Sequence, residues 1–125
     1  MTLIALAALG GAIGSAARFM LVTATAKAFG GAFPVGTLLV NVVGCFAMGL
    51  VVEAIARKGG SREAAVFFAT GVLGGFTTFS AFALDYTVLM SREAAGAAHL
   101  YVLASVLASL IAIYGGLALG RSLWP

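Results

Sequence analysis

Four long stretches of the chain are almost free of charge, and this constrains its fold more than any other feature. They cover about residues 3–26, 35–56, 61–90 and 95–123. A membrane-spanning helix needs roughly 20 mostly apolar residues, because 1.5 Å of rise per residue must cross about 30 Å of hydrocarbon. Each stretch meets that length, and only short loops remain between them. A soluble domain carries about 25% charged residues. This chain carries 9%, so seven Lys and Arg with four Asp and Glu cannot coat a folded surface in water. The expected class is an all-α integral membrane protein. Residues 1–125 form one domain of four transmembrane helices in a lipid bilayer.

Local signals set the helix ends. Pro34 suits the first turn of the second helix. Arg57-Lys58-Gly59-Gly60 closes that helix, and Ser61 is an N-cap for the third, with Arg62 and Glu63 in its first turn. Ser91-Arg92-Glu93 makes the next loop, and Trp124 is an interfacial anchor. The first apolar run is not read as a signal peptide: no charge precedes it and Arg18 lies beyond its early part, so a retained helix is expected. The loop between helices two and three, with the C-terminal end, carries Arg57, Lys58, Arg62 and Arg121. The other side carries Lys27 and Arg92, plus Arg18 if its side chain snorkels that way. So weak a bias fixes orientation poorly and predicts a chain able to insert both ways round. The net charge of +3 comes with no basic cluster, so no nucleic-acid partner is expected. Cys45, the lone cysteine, reads as a small core residue.

Seventeen glycines include the pairs Gly10-xxx-Gly14 and Gly116-xxx-Gly120, whose spacing lets helix backbones approach closely in lipid. Four short helices enclose little space, so a path for a solute is expected between subunits of an oligomer.

Polar groups inside a membrane are costly unless paired or wetted, which makes each a candidate site. Asn41 lies deep in the second helix. In the third, Gly74-Gly75 weakens helix propensity, and Thr77, Thr78 and Ser80 follow with hydroxyls able to satisfy freed backbone groups. A broken third helix is therefore expected over residues 74–80. Carbonyls freed there suit a small cation. Phe79, Phe82 and Asp85 fall at i, i+3 and i+6 along one face after the break. A phenyl edge is electropositive and can meet an anion. Tyr101, Ser105 and Ser109 form a hydroxyl stripe on the fourth helix. Each feature also has a plainer reading: interhelical hydrogen bonds for Asn41 and the hydroxyls, a packing kink for the glycines, and packing for the rings. His99 has no metal-ligand partner in the pattern, and no catalytic constellation is legible, so an enzyme is not expected.

Three motifs in order resemble the Fluc/CrcB fluoride channels. They are GGAIGSAARF ending at Arg18 and Phe19, PVGTLLVNVVGCF spanning Asn41, and GVLGGFTTFSAF from Gly71 to Phe82. The resemblance covers nearly the whole chain. It implies a dual-topology antiparallel homodimer, multi-pass in a bacterial or archaeal plasma (inner) membrane, with fluoride paths along the subunit interface. By position it implies pore roles for Asn41, Thr78, Phe79, Phe82, Tyr101, Ser105 and Ser109, and vestibule positions for Arg18 and Asp85. Backbone carbonyls of Gly74 and Thr77 would hold a structural sodium ion at the dimer centre. The family often has Glu where Asp85 stands, and Thr or Ser where Ala81 and Ala83 stand.

The function implied is passive fluoride efflux that lowers cytoplasmic fluoride toxicity. A small multidrug exporter, another short four-helix dimer, would need a carboxylate embedded in the first helix, where this chain has Arg18 and no Asp or Glu. An accessory subunit of a larger complex would leave Asn41, the expected break and the hydroxyl stripe without a use.

Overall fold

The computed structural model describes residues 2–125, and all regular structure among them is helical. The elements are α1 (Leu3–Phe29), α2 (Val35–Lys58), α3 (Arg62–Ala65), a π-helical segment (Val66–Leu73), α4 (Gly74–Phe76), α5 (Phe79–Ser91) and α6 (Ala95–Leu123). Taking Arg62–Ser91 as one rod, four helices are long and apolar enough to cross a membrane.

Helix ends follow their caps. The Thr2 hydroxyl accepts from Ala5 N–H at 3.2 Å, and the Ser61 hydroxyl accepts from Ala64 N–H at 3.1 Å, each satisfying a first-turn donor. α1 runs three residues past the expected end at 26, because Lys27, Ala28 and Phe29 extend it until Gly30 turns out at φ 78°. α2 likewise runs past 56 through Arg57 and Lys58, whose charges suit a helix C-terminus, and ends where Gly59 is left-handed at φ 65°.

Helix packing rests on missing side chains. A Cβ on Gly10 would meet the Phe67 carbonyl at 2.5 Å, and one on Gly75 would meet the Gly11 carbonyl at 2.6 Å. α1 therefore lies backbone to backbone against the third rod. α2 and α6 cross as closely: a Cβ on Gly49 would lie 2.7 Å from Leu117 N, and Gly116 faces the backbone of Phe46. The small core holds Leu89, Ala98 and Tyr101, with Phe33, Leu38, Phe82 and Tyr86 packed on it.

Ion pairs brace one end. Glu53 Oε2 accepts from Arg57 Nε at 2.9 Å, and its Oε1 accepts from Arg121 Nε at 2.7 Å. Arg57 Nη1 also donates to the Trp124 carbonyl at 3.1 Å, and Lys58 Nζ sits 4.8 Å from the centre of the Trp124 ring. Thus α2 and α6 are clasped where both end, and Trp124 is held rather than merely anchored.

The third rod departs most from a plain helix. The Gly74 N–H reaches back five residues to the Ala69 carbonyl, the wide spacing of a π-helix. Gly74 and Gly75 are themselves helical; the non-helical residues are Thr77 (φ −79°, ψ 159°) and Thr78 (φ −154°, ψ 125°). Gly75 serves close approach to α1, whereas a Cβ on Gly74 would meet only the Ala69 carbonyl of its own rod at 3.6 Å; extended backbone, which threonine tolerates well, falls just beyond them.

Candidate functional site

Two extended residues at membrane depth free polar backbone groups, and each such group costs several kcal/mol if left dry. Side chains from α1 and α2 meet them. Asn41 pairs with Thr78 on both sides: Nδ2 donates to the Thr78 carbonyl at 2.9 Å, and the Thr78 N–H donates to Oδ1 at 2.8 Å. Arg18 Nη1 donates to the Thr77 carbonyl at 3.2 Å. The Thr77 hydroxyl donates to the Leu73 carbonyl at 2.9 Å, and the Ser15 hydroxyl lies 3.5 Å from the Gly75 carbonyl. The Thr78 hydroxyl caps α5 by accepting from Ala81 N–H at 3.1 Å, and lies 3.3 Å from the Ser80 hydroxyl. One Asn41 amide hydrogen is used on the Thr78 carbonyl, and the other remains.

Beside this junction opens a groove of about 300 Å³. Asn41, Thr77, Thr78, Phe79, Phe82, Ser105 and Ser109 line it, with Cys45, Val106 and Leu110. The α5 N-terminus begins at its wall. The first-turn N–H groups there have no partner within the helix and make the position electropositive. The rings form a row: Phe79 and Phe82 lie 5.3 Å apart between centroids, Phe82 and Tyr101 5.3 Å, and Tyr101 meets Phe33 edge-on at 5.6 Å. Phe79 is 79% exposed, so its ring stands on the open side of the groove. The Ser105 hydroxyl is buried and, among the described residues, has no hydrogen-bond partner.

Six of the seven expected pore residues, Asn41, Thr78, Phe79, Phe82, Ser105 and Ser109, thus share one groove, with Thr77 of the expected cation site. Tyr101 does not line it. Fully buried beneath Phe82, it donates to Asp85 Oδ2 at 3.0 Å. Asp85 opens instead onto two smaller cavities of about 160 and 170 Å³ formed with the α1–α2 connection, where Arg92 Nη1 donates to the Gly31 carbonyl at 3.2 Å. Arg18, to which the resemblance gives a vestibule position, donates to the Thr77 carbonyl, a freed acceptor at the depth to which α1 brings it. Cys45, read as core, is half-buried in the groove wall. Its spacing of four from Asn41 places both on one face of α2, a signal available in the sequence.

The same geometry bears on a cation at Gly74 and Thr77. No cluster of three or more His, Cys, Asp or Glu occurs among the described residues, so any metal here would be held by other oxygens. The Thr78 N–H, which would reach the Gly74 carbonyl in a continuous helix, goes to Asn41. That leaves the Gly74 carbonyl without its helical donor. Carbonyl oxygens are the hard ligands a small hard cation takes, so the donor type fits. One of the two oxygens, that of Thr77, already accepts from Arg18.

Residues 5–117 match the family described as CrcB-like protein, Camphor Resistance (CrcB). A protein of Chelativorans sp. named fluoride-specific ion channel FluC is 58% identical over 119 residues, spanning 94% of this chain and 95% of that protein. A protein of the same name from Agrobacterium fabrum is 51% identical over 122 residues, spanning 97% and 98% respectively. Another from Paracoccus denitrificans is 51% identical over 117 residues, spanning 94% and 93%.

Proposed function

Since the chain belongs to the CrcB family, whose members named above are ion channels and not enzymes, we propose that this multi-pass membrane protein is a fluoride-selective channel. One observation carries the reading: the remaining Asn41 donor, the orphaned Ser105 hydroxyl, Ser109 and the rings of Phe79 and Phe82 converge on one groove beside the α5 N-terminus. Donors and electropositive ring edges replace the tight water shell of a small anion. Nothing in the groove is a full positive charge. Binding by several weak contacts lets the ion leave again, as conduction requires.

The direction of flow is passive efflux. Fluoride enters cells as neutral HF in acid surroundings and dissociates inside. An exit for the ion then lowers cytoplasmic toxicity. We assign the protein to the bacterial or archaeal inner membrane on that ground.

The active unit is an antiparallel homodimer of chains inserted both ways round. The open side of the groove and the exposed Phe79 ring support a second copy there. The weak charge bias supports dual insertion. The third rods, broken at Thr77 and Thr78, would cross at the dimer axis. There the Gly74 and Thr77 carbonyls of each copy would hold a sodium ion, whose chemistry is a fixed charge joining the two rods. Tyr101, buried behind the groove, would link its hydroxyls to Asp85 and the smaller cavities beside it, which would serve as a vestibule.

Purified protein in liposomes tests the function. Electrogenic fluoride efflux is expected, with chloride flux at background. Absence of fluoride flux from wild-type protein overturns the reading.

A further inference from the structure

Arg18 sets a full positive charge against the Thr77 carbonyl inside the membrane. Arg18 lies in the middle of α1 and is half-buried. An arginine at such depth faces the bundle interior or water, and pairs with an opposite charge or with backbone carbonyls. Among the described residues, however, the ion pairs are those of Glu53 with Arg57 and Arg121, and none involves Arg18. Its guanidinium sits on a neutral backbone oxygen 59 residues away, at 3.2 Å. That oxygen is one of the two assigned above to the cation.

We propose that Arg18 is an internal competitor for this cation site: the guanidinium holds the Thr77 carbonyl until a bound cation displaces it. The inference rests on the cation site proposed above and adds how occupancy of that site is controlled. Charge repulsion is its basis. A guanidinium and a metal ion on one carbonyl oxygen would be two like charges a few ångströms apart in a medium that screens poorly. A carbonyl has two lone pairs, so geometry alone would let both bind; electrostatics does not favour it. The neighbouring groups sharpen the competition. Asn41 fixes the Thr78 backbone from the other side, and the Thr77 hydroxyl is committed to the Leu73 carbonyl. The junction therefore cannot easily rotate the Thr77 carbonyl away from Arg18, and the mobile partner is the long arginine arm. An unoccupied junction thus keeps a positive charge on its carbonyls, and an occupied one exchanges that charge for the ion.

Arg18→Gln tests this, because glutamine keeps an N–H donor for the carbonyl and removes the charge. The readout is the thermal stability of purified protein, titrated with sodium chloride against N-methylglucamine chloride at constant ionic strength. The sodium midpoint is expected to fall about tenfold or more in the variant, within the usual range of coupling between sites. Arg18→Met, an apolar arm of similar length, gives the same shift and serves if the glutamine variant does not fold. Lys27→Gln removes a charge from α1 outside the contact and leaves the midpoint unchanged. Equal midpoints in wild type and the Arg18 variants, or a weaker one in the variants, overturn the competition and leave the cation site standing. An equal shift in Lys27→Gln overturns it too, as a general field effect. If sodium and N-methylglucamine act alike on every protein, the cation site itself fails, and this inference with it.

Discussion

Asn41 and Thr78 meet as two peptide groups meet in a ladder, one donating and one accepting on each side. A hydrogen bond of this kind contributes only about 1 kcal/mol net, but leaving a buried partner bare costs about 1–3 kcal/mol. The polar residue was legible, because an amide stands out in an apolar helix. Its partner was not, because a sequence displays side chains and Thr78 answers with its backbone. The same holds for Arg18, whose partner is a carbonyl that exists as an acceptor only because Thr77 and Thr78 are extended. The rings were legible by spacing, and their row continues to Tyr101 and Phe33. Phe82 touches rings on both sides and lines the groove, so it is the sharper test of ring-edge contact. Such contacts carry about 0.5–1.5 kcal/mol, so Phe82→Ile is expected to slow fluoride flux in liposomes about two- to tenfold. Flux equal to wild type would remove the ring from the conduction path.

Among the elements, the third rod shows where sequence reading stops. Residues 74–80 were singled out for low helix propensity, and the two extended residues lie inside that range, yet the glycines are helical. Gly75 is small because α1 approaches it, a tertiary reason that no propensity contains. The π-helical stretch left no sign in the sequence, since it depends on how α1 seats against the rod. The Gly10-xxx-Gly14 spacing did signal close packing, though not its partner, which is the stretch around Gly71 and Val72. Gly14→Ala would drive a methyl into the Val72 carbonyl. It is expected to destabilise the protein by about 1–3 kcal/mol, as overpacking does. Gly11→Ala, three residues earlier, meets nothing within 4 Å and is expected to be neutral or mildly stabilising. Thermal unfolding in detergent, read by loss of the monodisperse chromatographic peak, separates the two. Similar losses for both would detach the α1 contact from stability.

The molecule as a whole exposes 7256 Å², more than the about 6,200 Å² expected of a soluble monomer of its mass. Large apolar side chains on all its rods face outward, among them Ile4, Phe19, Phe79 and Ile111. Lipid can cover such a surface, and the second copy proposed above would cover part of it. Four basic residues against two or three was the sequence's weak vote on orientation. In the folded chain two of the four, Arg57 and Arg121, are tied to Glu53. A single cysteine placed at Gly60, in a Cys45→Ser background, is therefore expected to react with an impermeant thiol reagent in intact cells to about half its total, as weak bias allows. Reaction that is complete or absent would mean one orientation and would sink the antiparallel dimer. The widened turns between Val66 and Leu73 carry a different consequence. There the chain advances more residues per turn than the about 3.6 of an α-helix, so the faces before and after it cannot be read from one helical wheel. It is also the stretch where one residue fewer could be taken up by tightening to an ordinary helix. Changes in chain length between relatives would be absorbed there with the least disturbance to the junction that follows.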